Sequence, residues 1–373
     1  MPNCDAAARQ LRFHLTDSKT LALASTGRDN NLNLMRVFAA MLVLLSHSFT
    51  LATGDSSTEP GRSQLGLTFG DFAVDIFFVM SGFLVTRSIS RSQSLRQYAL
   101  ARGFRIFPGL WVALAISTAA VCVAFSAVSP MQNLLTPAVW RYLLQNAVVV
   151  TGPVFGFPGA FPDNPYPGSV NASLWTLPLE VWMYILLACA WAVATWLPRQ
   201  RADNFQNLVR ALAVLMTVGA IGSVAIGHPS SSLRHASMFY IAACLYGLQD
   251  RIPLRGVAAG VMLAMLLSAA FLPRLLFELF YRLLLPYLVL YLAFVPGGIV
   301  RRYNSLGDYS YGIYIYAFPI QQMCVACVPG ISVWSLLMLS AVLTVLAAVL
   351  SWHLVENRAM NWRASRQRRL LPS

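Results

Sequence analysis

The sequence predicts an all-α integral membrane protein, a bundle of about ten transmembrane helices with both termini in the cytosol. Of the 373 residues, 57% are hydrophobic and 11% are charged, against roughly 25% charged in a typical soluble domain. Apolar stretches close to the ~20 residues of a membrane-spanning helix recur along the chain, and most basic residues fall on one side of the resulting topology. These observations exclude an ordinary soluble enzyme.

The apolar stretches follow a polar segment, 1–31, which lacks the apolar core of a secretory signal and is predicted to be a cytosolic tail. One further stretch, 138–152, is short and carries Arg141. If it crossed the membrane, most later arginines would lie outside, so we predict a surface-lying or re-entrant helix there. The segment at 236–249 is short for a span. The predicted spans are 32–53, 71–88, 104–128, 174–197, 208–227, 236–249, 256–272, 278–296, 311–328 and 333–355.

The net charge of +13 raises the question of a nucleic-acid partner. With ten spans, however, 22 of the 27 basic residues fall on the cytosolic side, including a basic tail at 358–373. This bias is the positive-inside signal of a membrane protein. Membrane topology therefore explains the positive net charge, and we expect no nucleic-acid partner. The five basic residues assigned to the outer side are Arg62, Arg141, Arg234, Arg274 and Arg282.

The longest predicted external connection is 129–173. Within 151–168, nine of 18 residues are Pro or Gly, so no regular element runs through it. Loops of this length are typical of lids, binding loops or disorder. Aromatic residues favour a packed loop, and stacking on sugar rings is one use for them; they are Phe155, Phe157, Phe161 and Tyr166.

Ionisable residues inside spans cost ~2.5–3.5 kcal/mol each near mid-membrane, so each is a candidate functional residue. In the first span, Arg36 and His47 are eleven residues apart, which places both on one helix face about 16 Å apart along the axis. An elongated ligand with an anionic end at Arg36 and a reactive end at His47 fits this spacing, and imidazole suits a general base. The alternative is an interfacial anchor at Arg36 and a helix-packing hydrogen bond at His47.

The second predicted span carries Asp75 four residues after Asp71, on the same helix face. Asp71 fits the membrane interface. Asp75 is expected either to orient a partner histidine or arginine or to form a structural ion pair. Ser81 and Gly82 are small residues at which helices approach closely or a ligand threads between them.

Glu180 lies in the fourth predicted span, two residues after Pro178, which is expected to kink the helix. We predict its carboxylate in the outer half of the membrane with His47, as a candidate partner for the imidazole. The alternative is a glutamate that faces a water-filled cavity as a proton relay, as in a transporter.

Five arginines and no acidic residue lie between 87 and 105, after the second span. Arg102 and Arg105 are one helical turn apart, shortly before Pro108. Their guanidinium groups suit phosphates. The alternative is that they serve topology and anionic lipid headgroups.

Five motifs follow one another along the chain: RVFAAMLVLLSH (36–47), VDIFFVMSGFL (74–84), ARGFRIFP (101–108), SLWTLPLE (173–180) and DYSYGIY (308–314). In this order they resemble acyltransferase family 3, the bacterial membrane group of polysaccharide O-acyltransferases. The resemblance runs from residue 32 to about 357. It departs from the usual pattern at three points: Ala172 replaces a frequent glycine, Gly103 replaces a common arginine, and no proline follows Glu356.

The resemblance implies a membrane domain at 32–357, in the bacterial inner membrane, that moves an acyl group from cytosolic acyl-CoA to a hydroxyl of a cell-envelope or exported polysaccharide. Acetyl is the usual group. Arg36 and His47 match the family's essential basic residue and histidine. Arg102 and Arg105 match its cytosolic arginine motif, which is associated with the CoA phosphates, and Glu180 matches the glutamate of its SLW motif.

We therefore expect His47 to take the hydroxyl proton as that oxygen attacks the thioester, while Glu180, or else Asp75, fixes the imidazole tautomer. An acyl-histidine intermediate is the alternative. The expected partners are acetyl-CoA from the cytosol, a glycan acceptor from outside and the lipid bilayer, with no metal. Arg36, Arg102 and Arg105 are assigned to acetyl-CoA, and Trp175, Ser81 and Tyr166 to the acceptor.

Two other functions fit parts of the pattern. A proton-coupled transporter or glycan-lipid flippase would use Asp75, Glu180 and His47 as a proton path, but the internal repeats usual in transporters are not found in the sequence. An acyltransferase with a small-molecule or lipid-linked sugar acceptor would keep the same chemistry.

Overall fold

A computed structural model of the chain describes residues 19–27, 29–197 and 200–369. Most of the predicted N-terminal tail and the last four residues lie outside this range. Over the described residues the fold is helical, with no β-strand. Ten long helices coincide with the ten predicted spans: α1 (Leu32–Thr53), α2 (Phe69–Ser90), α3 (Leu95–Ala124), α4 (Thr176–Trp196), α5 (Arg201–Ala225), α6 (Ser231–Gly247), α7 (Gly256–Ala269), α8 (Arg274–Phe294), α9 (Ser310–Cys327) and α10 (Val333–Ser351).

Seven helical segments in the described part of the chain are long and apolar enough to cross a membrane. The helices α6, with 17 residues, and α7, with 14, are shorter than this criterion requires, and α9 does not reach it either. The apolar helices support a multi-pass membrane protein. The count of ten spans and the cytosolic placement of both termini remain predictions.

Short helical segments occupy the connections. The segment predicted as a surface-lying or re-entrant helix forms a helix of 12 residues, Pro137–Val148, too short to cross ~30 Å of hydrocarbon at 1.5 Å per residue. The other short α-helices are Leu21–Ala24, Arg62–Leu65, Pro130–Leu135 and Asn357–Arg369; 3₁₀ turns lie at Ser56–Thr58, Ala172–Trp175 and Gly298–Ser305, and a π-helical turn at Trp352–Glu356.

Two helix starts differ from the sequence prediction. The helix α3 begins at Leu95, nine residues before the predicted span, because Ser94 caps it by accepting a hydrogen bond from the Gln97 amide at 3.2 Å. Arg102 and Arg105 therefore lie on the helix itself rather than in a loop. Pro178 is the third residue of α4, where the backbone amide has no partner within the helix, so the expected kink is not required.

The chain divides into two compact units, and three of the five boundaries fall within α1, α2 and α4. The described part of the first unit comprises the chain up to Met35, Asp75–Arg91 and Leu187–Leu306, and the second comprises Arg36–Val74, Ser92–Leu186 and the chain from Gly307. In the first unit, Gly82 of α2 packs against the backbone of Phe239 in α6, and a Cβ there would lie 2.0 Å from the carbonyl oxygen. Close helix packing therefore accounts for this small residue.

The second unit has a buried apolar cluster at one end of α1, α9 and α10. Its members are Leu51, Phe318, Cys324, Val325 and Leu336, each at most 5% exposed. Burial of such side chains is worth about 1.5–3 kcal/mol each. This cluster holds α1 against α9, the two helices that carry the candidate site.

Candidate active site

The candidate site of the second unit lies along α1 and α9, which run side by side in the same direction. At one end, Arg36 of α1 donates to Asp308, just before α9, at 2.9 Å. Eleven residues further along α1, the His47 ring meets the ring of Phe318 at a centroid distance of 5.3 Å. The two predicted residues Arg36 and His47 therefore share a helix and face the same neighbouring helix.

Arginines meet a buried carboxylate at the Arg36 end. One oxygen of Asp308, Oδ2, accepts from Arg36 at 2.9 Å and from Arg105 at 2.6 Å. The arginine side chains remain 23% and 25% exposed. Because each guanidinium has five N–H donors, both retain donors for a further anion. We call Arg36, Arg102, Arg105, Asp308 and Glu356 the arginine cluster.

Asp308 is the charged centre of this cluster. Its other oxygen, Oδ1, accepts from the hydroxyl of Ser310 at 2.5 Å. Burial opposes ionisation of the carboxyl, but Arg105 and Arg36 outweigh it and hold the pKa of Asp308 below its usual value. Asp308 is the first residue of the DYSYGIY motif, and its local sequence pattern predicts no role for it.

A second carboxylate, Glu356, completes the cluster. It ends the π-helical turn that follows α10, and π-helical turns are frequent at functional sites. Its Oε2 atom lies 3.7 Å from Arg105, and its Oε1 atom accepts a hydrogen bond from the hydroxyl of Ser351 at 2.9 Å. Arg105 therefore faces two carboxylates.

Arg102 lies one turn before Arg105 on α3. Its guanidinium lies 5.9 Å from the centre of the Tyr184 ring, a cation–π distance. The Nε atom of Arg102 is buried and has no hydrogen-bond partner among the described residues. An orphaned donor beside Arg105 is what an anionic ligand would satisfy.

Glu180 lies nearer to the arginine cluster than the sequence analysis predicted. Thr176 at the start of α4 bonds Tyr314 at 2.7 Å, whereas the charge of Glu180, one turn later, acts on Tyr311 and Arg105. The helix α4 thus runs antiparallel to α9, and Glu180 is displaced towards Asp308 and away from Phe318. Its side chain accepts a hydrogen bond from Tyr184.

The His47 end has two buried polar atoms without a partner. His47 Nδ1 and the side-chain oxygen of Gln321 make no hydrogen bond within the part of the chain that the structure describes. The amide nitrogen of Gln321 donates to the Leu44 carbonyl at 2.8 Å and to the Ser48 hydroxyl at 2.7 Å, so Gln321 lies against α1 around His47. Because buried polar groups are normally paired, these atoms are suited to a polar substrate.

The carboxylates whose charge acts on His47 are Glu59 and Asp71. The sequence predicts only an interfacial position for Asp71, and no local pattern predicts a role for Glu59. Since His47 Nδ1 has no hydrogen-bond partner among the residues that the structure describes, no such bond supports the predicted role of Glu180 or Asp75 as its orienting carboxylate.

The irregular loop after residue 148 packs over the His47 end. Gln322 of α9 donates to the carbonyls of Tyr166 at 2.7 Å and Ser169 at 2.9 Å. The Tyr166 ring lies 6.4 Å from Phe318, the residue that contacts His47, and is 36% exposed. Phe157 and Phe161 are at most 2% exposed, which confirms the expectation of a packed loop.

Trp175 ends the 3₁₀ turn Ala172–Trp175 and is half-buried. The preceding Asn171 fixes this turn: its side chain accepts from the Ser173 amide at 3.1 Å and donates to the Ile315 carbonyl of α9 at 2.9 Å. Trp175 is therefore held beside α9, and its assignment to the acceptor stays a prediction.

Asp75 lies in the first unit, where its carboxylate meets a different histidine. It bonds His235 Nδ1 at 2.6 Å and the hydroxyl of Tyr281 at 2.8 Å, and it lies 3.3 Å from Arg234. Asp75 and His235 are fully buried. Ser81, one and a half turns further along α2, is half-buried. This network ties α2 to α6 and α8.

Two arginines assigned to the outer side are therefore structural. Arg234 is the buried partner of Asp75, and Arg282 pairs with Glu278 at 2.5 Å with 1% of its side chain exposed. Neither arginine is evidence for the side of the membrane on which it lies, because the buried acidic residue that it pairs with explains its position.

Comparisons with known proteins agree with the motifs. The family model described as an acyltransferase domain, acyltransferase family 3, matches residues 29–355. The chain is 29% identical over 357 residues to an O-acetyl transferase of Shigella phage Sf6, covering 89% of this chain and 96% of the relative. It is 29% identical over 387 residues to Nodulation protein 10 of Rhizobium leguminosarum bv. viciae, covering 91% and 96%. No solved structure matches it. The chain is a multi-pass membrane acyltransferase and belongs to acyltransferase family 3.

Proposed function

We propose that this protein transfers an acetyl group from acetyl-CoA to a hydroxyl of a cell-envelope or exported glycan, in the bacterial inner membrane. The observation that carries the proposal is the arrangement along α1 and α9, with the arginine cluster at one end and, at the other, His47, whose Nδ1 atom has no hydrogen-bond partner in the described part of the chain. An acetyl group is favoured because one relative is named an O-acetyl transferase.

The arginine cluster fits the phosphates of CoA. Arg36 and Arg105 share one oxygen of Asp308 and keep further donors, and Arg102 Nε is buried without a partner among the described residues. Guanidinium groups bind phosphate oxygens through paired N–H donors. The predicted cytosolic location of this end places it where acyl-CoA is made.

His47 fits the role of general base. The distance of about 16 Å between Arg36 and His47 along α1 suits a donor whose phosphates and thioester lie at opposite ends. His47 takes the proton of the acceptor hydroxyl as its oxygen forms a bond to the thioester carbonyl carbon. When the carbon–sulfur bond breaks, the imidazolium returns the proton to the thiolate, which leaves as free CoA.

The acceptor enters from the side of the loop at 149–171. Tyr166 is the exposed aromatic residue next to Phe318, and aromatic faces stack on sugar rings through their C–H groups. The orphaned side-chain oxygen of Gln321 is an acceptor for a sugar hydroxyl near His47. Donor and acceptor thus reach His47 from opposite ends of the site.

A direct test compares His47→Ala with Arg36→Ala in purified protein. We expect His47→Ala to bind acetyl-CoA with unchanged affinity and to abolish acetylation of polysaccharide isolated from cells that lack the gene. Arg36→Ala should instead weaken acetyl-CoA binding by about tenfold or more, as expected for a lost charge-assisted contact. The measurements are titration with acetyl-CoA and detection of released CoA thiol.

The same assay separates the proposal from transport. An acyltransferase releases CoA thiol only when the acceptor is present, and the acetyl signal appears in the NMR spectrum of the polysaccharide. Full activity of His47→Ala would contradict the mechanism. A wild-type protein that does not bind acetyl-CoA would contradict the choice of donor.

A further inference from the structure

Glu59 lies in the connection between α1 and α2, yet its carboxylate reaches back onto α1. The hydroxyl of Ser46 donates to Oε2 at 2.6 Å, and the hydroxyl of Thr50 donates to Oε1 at 2.6 Å. The side chain is 10% exposed. Because Ser46 precedes His47 and Thr50 follows it by one turn, the carboxylate is held on the helix surface beside the histidine.

Few acidic side chains of the described residues act on His47. Glu59 and Asp71 act on its charge, and Arg62 lies 3.7 Å from Glu59 at the exposed side. From α9, the residues that meet this part of α1 are the uncharged Phe318 and Gln321. An imidazolium formed here is buried, and without a nearby anion it would be costly.

Of the two carboxylates, Asp71 already has a local role. One of its oxygens accepts from both the amide and the hydroxyl of Thr68 at 3.0 Å, while its own amide donates to that hydroxyl at 2.9 Å. These bonds organise the first turn of α2. Both oxygens of Glu59, in contrast, are hydrogen-bonded to α1, through Ser46 and Thr50.

We propose that Glu59 is a positioning residue that holds the Ser46–Thr50 turn around His47 and stabilises its imidazolium during acyl transfer, a role that rests on the proposed function. Glu59 takes no proton itself. The proton moves from the acceptor hydroxyl to His47 and then to the CoA thiolate, while the carbon–oxygen bond forms and the carbon–sulfur bond breaks.

The first test is Glu59→Gln, with Asp55→Asn as the matched control. Asp55 is an exposed acid of the same connection that caps the Ser56–Thr58 turn. We expect Glu59→Gln to lower kcat by about tenfold or more, less than the ~10⁴ lost where a carboxylate bonds the catalytic histidine directly. The Kd for acetyl-CoA should stay within about twofold, since the arginine cluster is untouched. Asp55→Asn should retain the wild-type kcat, and Glu59→Asp should recover part of the loss.

A second measurement reports the charge of His47 without acyl transfer. Diethyl pyrocarbonate modifies neutral imidazole, and its rate at His47 can be followed by peptide mass spectrometry. We expect the ratio of the rates at about pH 5 and pH 8 to rise in Glu59→Gln, because more imidazole is neutral at the lower pH once the anion is removed. A change in the exposure of His47 alone would alter the rates at both pH values by the same factor and leave their ratio unchanged.

These outcomes separate the two proposals. A wild-type protein that does not bind acetyl-CoA would contradict the proposed function. In that case, a diethyl pyrocarbonate rate ratio that is the same in wild type and Glu59→Gln would also show that Glu59 is not the electrostatic partner of His47. If the wild-type protein transfers acetyl groups normally and Glu59→Gln has the same kcat as Asp55→Asn, the inference about Glu59 is overturned while the proposed function stands. If Glu59→Gln does not accumulate, Ser46→Ala with Thr50→Val releases the carboxylate from α1 and carries the same expectation.

Discussion

Arg36 donates a hydrogen bond to Asp308 at 2.9 Å, although the two residues are 272 positions apart in the sequence. The contact fixes the start of α1 against the start of α9. Because Arg105 shares the same carboxylate oxygen at 2.6 Å, Asp308 sets the positions of two guanidinium groups at once. An arrangement with prepositioned donors binds an anion without first ordering long side chains.

Asp308→Asn tests this arrangement. Asparagine keeps the size of the side chain but removes the charge that holds Arg36 and Arg105 together, so we expect the KM for acetyl-CoA to rise by about three- to thirtyfold. The kcat at saturating acetyl-CoA should change less. Steady-state kinetics with released CoA as the signal measures both values. Tighter acetyl-CoA binding in the variant would show instead that Asp308 competes with the phosphates.

Much of the fold could be predicted from the sequence because hydropathy is a local property. Apolar runs of sufficient length form helices in lipid, where every backbone group must be paired within the element, and each of the ten predicted runs contains a helix. Helix starts were harder, since they depend on single caps. Ser94 caps α3 and so lets it begin before the predicted span, and Pro178 falls in the first turn of α4, where no kink is required.

The candidate site could be predicted only in part. The spacing of residues along one helix does not determine which residues of other helices they contact. The eleven-residue separation of Arg36 and His47 fixes their shared face. It does not show that Glu180 lies with Arg105, or that Asp75 pairs with His235. Glu59 gave only a weak signal, as an acidic residue six positions after the end of the predicted span that carries His47. Asp308 was visible only as the first residue of a motif.

Tyr166→Ala tests the acceptor side. Removal of the exposed ring beside Phe318 should raise the KM for the polysaccharide by about five- to thirtyfold, the effect of losing about 1–2 kcal/mol of contact energy. Tyr166→Phe should retain most of the affinity, since the ring remains. Phe155→Ala is the matched control, because Phe155 is a 44% exposed aromatic residue of the same loop. Equal effects of the two alanine variants would argue against a specific stacking position.

Gly82→Ala tests the close packing of α2 against α6. The new Cβ would lie 2.0 Å from the Phe239 carbonyl oxygen, so the helices must separate, and we expect a loss of about 2 kcal/mol or more of unfolding free energy. Gly260→Ala in α7 is the control, since nothing lies within 4 Å of its Cβ position. Thermal unfolding in detergent measures both. A Tm of Gly82→Ala equal to that of the control would contradict the packing.

Asp75→Asn tests whether the buried network of the first unit is structural. The change leaves Arg234 without its buried anion, which typically costs about 3–5 kcal/mol. We expect a Tm well below that of Asp250→Asn, which alters an exposed acid of the same unit. Wild-type thermal stability together with lost acetyl transfer would instead assign Asp75 a part in the reaction.

The Asp308 cluster also has a defined pH dependence. Arg105 and Arg36 outweigh burial and lower the pKa of Asp308 in the folded protein, whereas the unfolded chain titrates near the usual value of about 3.9. A lowered folded-state pKa contributes stability that is fully present above the unfolded value and is lost as the pH falls through the folded value. The difference in Tm between wild type and Asp308→Asn should therefore be constant from about pH 8 to pH 5 and shrink below about pH 4. A difference that already disappears between pH 7 and 5 would mean that Asp308 is not held ionised by the two arginines.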